Sequence, residues 1–199
     1  SDGYFYKFSQ NTISSDATCS SFIFSSGLKF NKVDIESDLV GHNSECNINS
    51  ALFLNQSEHQ EIKTRINHLS PNCKSFQKIK KVLNSESTGV YQGKVYVKDI
   101  AQKTNAYQLS KALLLDENSE FNSKPELEIY ADDVKCSHGS TSGNIDEDSM
   151  YYLMSRGLNH REATQLLIKS FLDEVVESIK DSNIEKFIQL KLQEQIDGY

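Results

Sequence analysis

Hydrophobic and polar residues alternate along most of the first 143 residues. The clearest runs are residues 21–24, 28–35 and 90–97, in which aromatic or β-branched residues recur at every second position. A period of two places successive side chains on opposite faces, as a β-strand does. Asn, Ser and Gly separate the runs, and no long helical pattern interrupts them. We therefore expect residues 1–143 to form many short strands.

Short strands without intervening helices are compatible with a β-sandwich, a β-barrel or a β-helix. Turns rich in Asn and Ser favour the β-helix, a solenoid in which each coil stacks on the one before. Cys19, Cys46 and Cys73 are separated by equal gaps and could mark three successive coils, although no clear sequence repeat accompanies them. The pattern by itself leaves the three architectures open.

Residues 144–199 change to a helical pattern, which predicts a second domain that begins at residue 144. Asp146 is placed to cap a first helix, which should end at Arg156 because Gly157 follows. Glycine just past the last turn is a common helix stop, since it adopts the left-handed conformation at little cost. The chain is thus divided into a β-rich domain, 1–143, and a helical C-terminal domain, 144–199.

Two further helices have recognisable starts. Asn159 and Glu162 form the Asn-x-x-Glu signature of a capped N-terminus, and the helix that follows should run to about Lys180. Ser182 and Glu185 repeat the signature, which predicts that a final helix begins there.

The middle helix carries more apolar residues than one side of a surface helix needs. One stripe consists of Ala163, Leu167, Phe171, Val175 and Ile179, and a second consists of Ile168, Leu172 and Val176. The helix could be buried between its own neighbours, or it could present an apolar docking face to a partner protein. The docking interpretation assigns Phe171, Leu172, Val175, Val176 and Ile179 to that face.

Composition narrows the function classes. The net charge of −7 argues against binding to a nucleic-acid backbone or to an anionic membrane surface, both of which need clustered Lys and Arg. No signal peptide opens the chain, and no apolar run approaches the roughly 20 residues that span a bilayer. Four cysteines without a CxxC pair indicate reduced thiols in a cytoplasm-like compartment. The chain does not begin with methionine, so we expect a piece of a longer protein.

Cys136 and His138 form the most informative candidate site. They lie two residues apart after an extended segment, so their side chains should share one face of a strand. Thiolate and imidazole are ligands suited to iron or zinc, but two ligands are too few for a closed site. One interpretation is a half-site completed by another subunit, with Asp132 and Asp133 nearby. The other is a buried cysteine beside a hydrogen-bonded histidine, with no metal role.

A cysteine hydrolase is the rival interpretation of the same residues. Cys136 would be the nucleophile, and His42, His59 or His68 would be the general base. The sequence contains no nucleophile or oxyanion motif that supports this reaction. A nucleotide site at residues 89–95 is excluded, because its spacing is one residue shorter than a phosphate loop and Val95 replaces the required Ser or Thr.

Several motifs occur in the order found in the SufB/SufD family of iron–sulfur cluster assembly proteins, which the chain resembles over residues 69–179. The matching segments are residues 92–97, 101–106, 108–110, 113–115, 124–139 and the Tyr-Tyr-Leu-x-Ser-Arg-Gly run at 151–157. The element at residues 135–139 is most similar to the SufD branch of the family.

The resemblance implies a right-handed parallel β-helix followed by a small helical domain. It implies a non-catalytic scaffold that pairs with a SufB-like subunit and docks a SufC-like ATPase through the C-terminal helices. The iron–sulfur cluster would be transient and shared with the partner. His138 matches the family histidine near that interface, and Cys136 matches the cysteine of the same motif. A homodimer through the β-helix edge is an alternative. We expect the protein to lie in a bacterial cytoplasm or in a plastid-type organelle.

Family members of the SufD type are about twice as long as this chain. The resemblance therefore implies that residues 1–143 are the C-terminal coils of a longer β-helix, and that an N-terminal helical region precedes them. Residues 1–60 have no recognisable family motif.

Overall fold

A computed structural model describes residues 3–25 and 27–198, which form ten strands followed by three helices. The strands are β1 (Tyr4–Ile13), β2 (Thr18–Ile23), β3 (Phe30–Leu39), β4 (Glu45–Leu54), β5 (His59–His68), β6 (Lys74–Leu83), β7 (Thr88–Val97), β8 (Asn105–Leu114), β9 (Glu120–Ile129) and β10 (Lys135–Gly143). The helices are α1 (Glu147–Ser155), α2 (His160–Val176) and α3 (Ser182–Asp197).

The strands form two parallel five-stranded sheets. Sheet A has the order β1-β3-β5-β7-β9, and sheet B has the order β10-β8-β6-β4-β2. Because odd and even strands alternate between the sheets, the chain passes through one strand of each sheet in every coil. This is a parallel β-solenoid of about five coils, which confirms the β-helix and rules out the sandwich and the barrel.

The length of a coil varies although most strands have ten residues. Tyr4 aligns with Phe30 in the first step of sheet A, whereas Thr88 aligns with Glu120 in the last, so the turns absorb the difference. The cysteine spacing illustrates the consequence. Cys19 does align with Cys46, but Cys46 aligns with Ser75, so Cys73 falls in the turn before β6. The equal gaps therefore predict the stacking of Cys19 on Cys46 correctly, but the prediction that Cys73 stacks on Cys46 is wrong.

Stacked turns explain why polar residues punctuate the strands. Asn43, Asn72 and Lys103 have positive φ angles of 59°, 60° and 60°. Asn tolerates this left-handed conformation better than most residues do. The N–H of Asn43 donates to the carbonyl of Pro71 (3.3 Å), and the N–H of Asn72 donates to that of Gln102 (2.9 Å). These bonds tie each turn to the corresponding turn of the next coil.

The helix starts match the predictions closely. The Asp146 carboxylate caps α1, and Asn159 and Glu162 form a complete capping box at the start of α2. The last helix begins one residue earlier than predicted. Asp181, not Ser182, is its N-cap, because the Asp181 carboxylate accepts hydrogen bonds from the two N–H groups at residues 183 and 184. Aspartate precedes the signature and is an equally good cap.

Helices α2 and α3 pack on the outer face of sheet B, and α1 packs on α2. Ala51 and Phe53 of β4 and Val82 of β6 are buried there in one cluster with apolar residues of α2 and α3. The helical members are Ile168, Leu172, Val176, Ile188, Leu192 and Ile196. β10 ends at Gly143 and α1 begins at Glu147, but this shared core joins the helices to the β-helix. Division into two independent domains stays a prediction.

The residues of the predicted docking face on α2 are covered in this structure. Leu172, Val175 and Val176 are 1%, 0% and 0% exposed, and Phe171 and Ile179 are partly buried against the same cluster. In this structure these five residues face the interior, because the outer face of β4 is itself apolar and needs cover. The unbroken apolar run at residues 51–54 is the signal for this, since a strand buried on both faces loses its alternation.

None of the helices in the described part of the chain is long and apolar enough to cross a bilayer.

Candidate metal-ligand site at the open end of the β-helix

The last coil of the β-helix, formed by β9 and β10, has a free side. In the described residues, β9 pairs only with β7, and β10 pairs only with β8. The backbone groups along the other edge of each strand therefore have no strand partner within residues 3–25 and 27–198. Unpaired edges of this kind are templates for pairing with another chain.

Cys136 and His138 lie on this last strand and face the interior of the solenoid. Cys136 aligns with Ala106, and His138 aligns with Gln108, and both of these β8 residues are buried (1% and 0% exposed). Residues aligned in a parallel sheet point to the same side, so the predicted shared face is the inward one. Because no further coil covers it, Cys136 is half-buried and His138 is exposed.

The thiol of Cys136 is held in its protonated form. Burial raises its pKa, and a hydrogen bond from the backbone of Ala106 offsets this only in part. A catalytic cysteine needs the opposite, a lowered pKa that favours the thiolate. A metal ion would have to displace the proton, as metal binding to thiols generally does. The site is therefore better suited to metal ligation than to nucleophilic attack.

The histidines proposed as hydrolase bases have other partners or positions. His68 is fully buried, with its Nε2 atom 2.8 Å from the Ser75 hydroxyl. The Nε2 atom of His59 lies 3.0 Å from the Glu61 carboxylate. His42 lies in the turn between β3 and β4, three coils before β10. In the part of the chain that the structure describes, no hydrogen bond joins Cys136 to a histidine, so the geometry does not support a hydrolase.

A buried polar cluster lies directly beneath His138. Gln77, Gln108 and His138 align across three strands of sheet B. The hydroxyl of Tyr91, on β7 opposite, lies 3.2 Å from Oε1 of Gln77 and 3.4 Å from Oε1 of Gln108. Burial raises the pKa of Tyr91 to about 12, so the phenol keeps its proton. His138 therefore stands above a floor of amide and hydroxyl groups.

Gly93 makes room for this cluster. A Cβ atom at this position would lie 2.2 Å from the Tyr91 hydroxyl and 2.6 Å from Oε1 of Gln108. The residues that superficially resemble a phosphate loop are thus part of strand β7, as the pattern predicted. Gly93 leaves space in the interior of the solenoid for the side chains of Tyr91 and Gln108.

A second polar contact lies one step along β10. The hydroxyl of Ser110 is 2.8 Å from that of Ser123 and donates to that of Ser140 at 3.0 Å. Sequence reasoning missed Gln108, Tyr91 and Ser140 as neighbours of the site. The available signal is that polar residues occupy inward positions of β8 and β10, where apolar residues are expected.

This chain supplies only part of a metal site. Within residues 3–25 and 27–198, no group of three or more His, Cys, Asp or Glu side chains is arranged to hold a metal ion. Asp132 and Asp133 are exposed in the turn before β10. Closed structural sites use about four protein ligands. Cys136 and His138 can contribute two of them.

An apolar groove of about 430 Å³ lies where α1 and the start of α2 meet the end of β8. Its apolar lining comes from Leu114, Leu115, Ile145, Met150, Tyr151 and Met154, and its acidic residues are Asp116, Glu117 and Glu147. Tyr151 is 77% exposed and Met154 is 43% exposed. These residues, called the α1 groove below, provide exposed apolar surface next to the buried face of α2.

The fold and the Cys136–His138 pair define a class: a parallel β-helix protein that carries potential metal ligands on an unpaired last coil. The family model described as "SUF system FeS cluster assembly, SufBD core domain" matches residues 2–171. The chain belongs to this SufBD family of iron–sulfur cluster assembly proteins.

Individual relatives agree with this assignment. The iron–sulfur cluster assembly protein SufD of Escherichia coli is 33% identical over 94% of this chain, which corresponds to 44% of the relative. A SufBD family protein of Synechocystis is 43% identical over 57% of the chain and 25% of its own length. The chloroplastic protein ABCI7 of Arabidopsis thaliana is 43% identical over 52% of the chain and 22% of its own length. The chain spans less than half the length of each of these relatives.

Proposed function

We propose that this chain is a scaffold subunit of an iron–sulfur cluster assembly complex, in which it pairs with a SufB-like subunit. The observation that carries the proposal is that Cys136 and His138 lie on β10, whose outer edge has no strand partner among the described residues. The cluster is the cargo, held between two chains before it is passed on. This chain does not perform the chemistry of its synthesis.

The half-site needs a second protein for two reasons. Cys136 and His138 supply two ligands, and the remaining ligands come from the chain that covers the last coil. That chain can also form hydrogen bonds to the free edges of β9 and β10, which brings its own ligands to the same place. One act of pairing thus buries the site and completes it.

Transient binding agrees with the state of the thiol. Because burial raises the pKa of Cys136, cluster binding must release a proton, and protonation favours release of the cluster. His138 is exposed in the isolated chain, so its ring can bind an iron atom of the cluster without rearrangement of the strand. Both properties suit a carrier better than a permanent cofactor site.

The SufC-like ATPase docks, in this proposal, at the α1 groove. The buried residues of α2 are unavailable, whereas the groove offers an exposed apolar floor beside three carboxylates. Its occupant is a segment of the ATPase with an apolar anchor and basic neighbours, since that chemistry matches the lining. ATP hydrolysis belongs to this partner, because the chain has no phosphate loop.

The test of the cluster site is anaerobic reconstitution with iron and sulfide in the presence of the SufB-like partner, read by visible absorbance. We expect His138→Ala and Cys136→Ala to lower cluster formation at least several-fold while the strand content is unchanged. Ser137→Ala is the matched control, since Ser137 lies between them on the opposite face of β10. Normal cluster formation in both site variants would overturn the proposal.

The test of the docking surface is calorimetry with the ATPase. We expect Tyr151→Ala and Met154→Ala to weaken binding at least tenfold. Phe187→Ala on α3 is the control, because Phe187 is also exposed (56%) but is not part of the α1 groove. Equal affinities for all three variants would place the ATPase elsewhere.

A homodimer through the last coil is the second candidate, because the same free edge of β10 could pair with a second copy of the chain. Sedimentation of the isolated chain distinguishes the two. A dimer that the SufB-like partner does not displace would favour a purely structural role.

The compartment we propose is a reducing one. The structure describes Cys19, Cys46, Cys73 and Cys136 as free thiols, and a cluster carrier needs its cysteine unoxidised. Relatives are known from bacteria and, by the name of the Arabidopsis protein, from the chloroplast. A bacterial cytoplasm and a plastid both satisfy the requirement.

A further inference from the structure

The residue beneath His138 has a hydrogen-bonding capacity that the buried cluster does not use. Gln108 is 0% exposed, yet its contacts are long: its Nε2 atom lies 3.5 Å from the carbonyl of Glu126, and its Oε1 atom lies 3.4 Å from the Tyr91 hydroxyl. Good hydrogen bonds of these types are several tenths of an ångström shorter. A buried amide that is only loosely satisfied calls for an explanation.

The phenol of Tyr91 cannot satisfy both amides. A tyrosine hydroxyl carries one hydrogen, and two carbonyl oxygens converge on it. The hydroxyl lies 3.2 Å from Oε1 of Gln77 and 3.4 Å from Oε1 of Gln108, so two acceptors share its one proton. An amide oxygen has two lone pairs, so Oε1 of Gln108 can also accept from another donor. The next residue in the stack, on the side away from Gln77, is His138.

The register places that donor beside Gln108, and in this structure no hydrogen bond joins the two side chains. His138 and Gln108 are aligned partners on adjacent strands and face the same way, which puts their backbones about 4.8 Å apart. Histidines that bind metals usually donate the N–H of their second ring nitrogen to a carbonyl or carboxylate, and this fixes the tautomer and the ring orientation. Gln108 is positioned to be that acceptor.

We propose that Gln108 is a positioning residue for His138: its amide oxygen accepts one ring N–H and leaves the other nitrogen free to bind the cluster. Tyr91 and Gly93 act one step behind it, because they shape the space that the Gln108 amide occupies beneath the last coil. The value of this arrangement for cluster assembly rests on the function proposed above, whereas the proposed hydrogen bond between Gln108 and His138 does not.

The decisive measurement is the tautomer of His138 in the isolated chain, at a pH at which the imidazole ring is neutral. It is read from the ¹⁵N chemical shifts of the two ring nitrogens. We expect one tautomer to dominate in the wild-type chain. Gln108→Met should move the ratio toward that of free histidine. Gln77→Met is the matched control, since it makes the same change one strand further away, about 10 Å from His138, and should leave the ratio unchanged.

A wild-type ratio equal to that of free histidine would overturn the inference, and so would a ratio that Gln108→Met does not alter. The wild-type measurement keeps the test valid if Gln108→Met fails to fold. Gln108→Glu, which keeps an acceptor, should retain the dominant tautomer.

Reconstitution with the SufB-like partner provides the functional arm. We expect Gln108→Met to lower cluster affinity about 10-fold or more, as loss of such supporting partners commonly does, and Gln77→Met to have less effect. If His138→Ala and Cys136→Ala both leave cluster formation unchanged, the proposed function fails while the tautomer experiment still decides the role of Gln108. A normal affinity in Gln108→Met, with an altered tautomer, would show that the orientation of His138 does not matter for assembly.

Discussion

The ammonium of Lys80 on β6 donates to the carboxylate of Glu174 on α2, and this ion pair ties the helices to sheet B. Lys80 also donates to the carbonyl of Phe171 (2.8 Å) and lies 4.4 Å from the centre of its ring. The Lys80 side chain is 2% exposed, whereas that of Glu174 is 52% exposed. Burial lowers the pKa of Lys80, and the hydrogen bond with Lys80 lowers the pKa of Glu174 to about 2.

Removal of the carboxylate should therefore leave a buried cation without its counter-charge. We expect Glu174→Gln to lower the free energy of unfolding by about 1–3 kcal/mol, less than for a fully buried pair because Glu174 is half-exposed. Urea unfolding followed by circular dichroism measures this. Glu194→Gln is the control, since Glu194 has a similar exposure (54%) but pairs only with the surface residue Lys191. Equal losses in both variants would contradict a structural role for the pair.

The same pair predicts acid sensitivity. The pKa of Glu174 is lower in the folded chain than in the unfolded one, so its stabilising effect is present above about pH 4.5 and is lost as the pH falls toward 2. The gap between wild type and Glu174→Gln should close over that range. A gap that is constant with pH would show that the charge of Glu174 is not the cause.

His68 should make the β-helix weaken at mildly acid pH. Burial lowers its pKa to about 4, whereas an unfolded histidine has a pKa near 6.5. The unfolded chain therefore binds one more proton between these values, and stability falls as the pH drops through this window. From pH 7 to pH 5 the loss should be about 2 kcal/mol. His68→Gln should be less stable at pH 7 but should lose less on acidification, and parallel curves would refute the assignment.

Gly93→Ala should destabilise the chain through a clash with Tyr91. An added Cβ would lie 2.2 Å from the Tyr91 hydroxyl, so the ring must move within a packed interior, at a cost of about 1–3 kcal/mol. Gly143→Ala is the control, because nothing lies within 4 Å of a Cβ there. Tyr91→Phe should relieve part of the clash, so the double variant should be more stable than the sum of the single effects predicts. Strict additivity would argue against the clash.

Leu172→Ala and Leu166→Ala should separate packing from docking on α2. Leu172 is 1% exposed within the helix–sheet cluster, so its truncation should cost about 2–5 kcal/mol. Leu166 is 42% exposed, and its truncation should cost far less. Thermal unfolding measures both. If Leu172→Ala had wild-type stability and weakened only ATPase binding, the predicted docking face on α2 would be supported.

The sequence predicted individual strands and helix ends better than it predicted how they pack against one another. The alternation at residues 90–97 and the caps at Asp146 and Asn159 are local signals, since each depends on a few neighbouring side chains. Solenoid geometry was harder to see, because the turns take up different numbers of residues and no fixed repeat survives. For this reason the equal spacing of the cysteines predicted the alignment of Cys19 with Cys46 correctly but did not predict that Cys73 lies in a turn.

The candidate site was predicted in the same partial way. Spacing placed Cys136 and His138 on one face, and alternation follows directly from strand geometry. The polar floor of Gln108 and Tyr91 depends on residues that are 28 and 45 positions before Cys136, so it needed the register of the sheets. The docking face on α2 stays a prediction for a related reason: an apolar helix surface in the sequence does not reveal whether a partner or the chain's own sheet covers it.

The composition of β10 has a consequence for how far assembly can proceed. The strand reads Lys-Cys-Ser-His-Gly-Ser-Thr-Ser-Gly, without Leu, Ile, Val, Met, Phe, Tyr or Trp. An end coil with apolar rows would invite copy after copy to stack and would grow into fibres. Small polar side chains gain little from such stacking, so growth stops unless a partner brings specific ligands. The strand that we propose for partner pairing thus offers an added copy of the chain little apolar surface to bury.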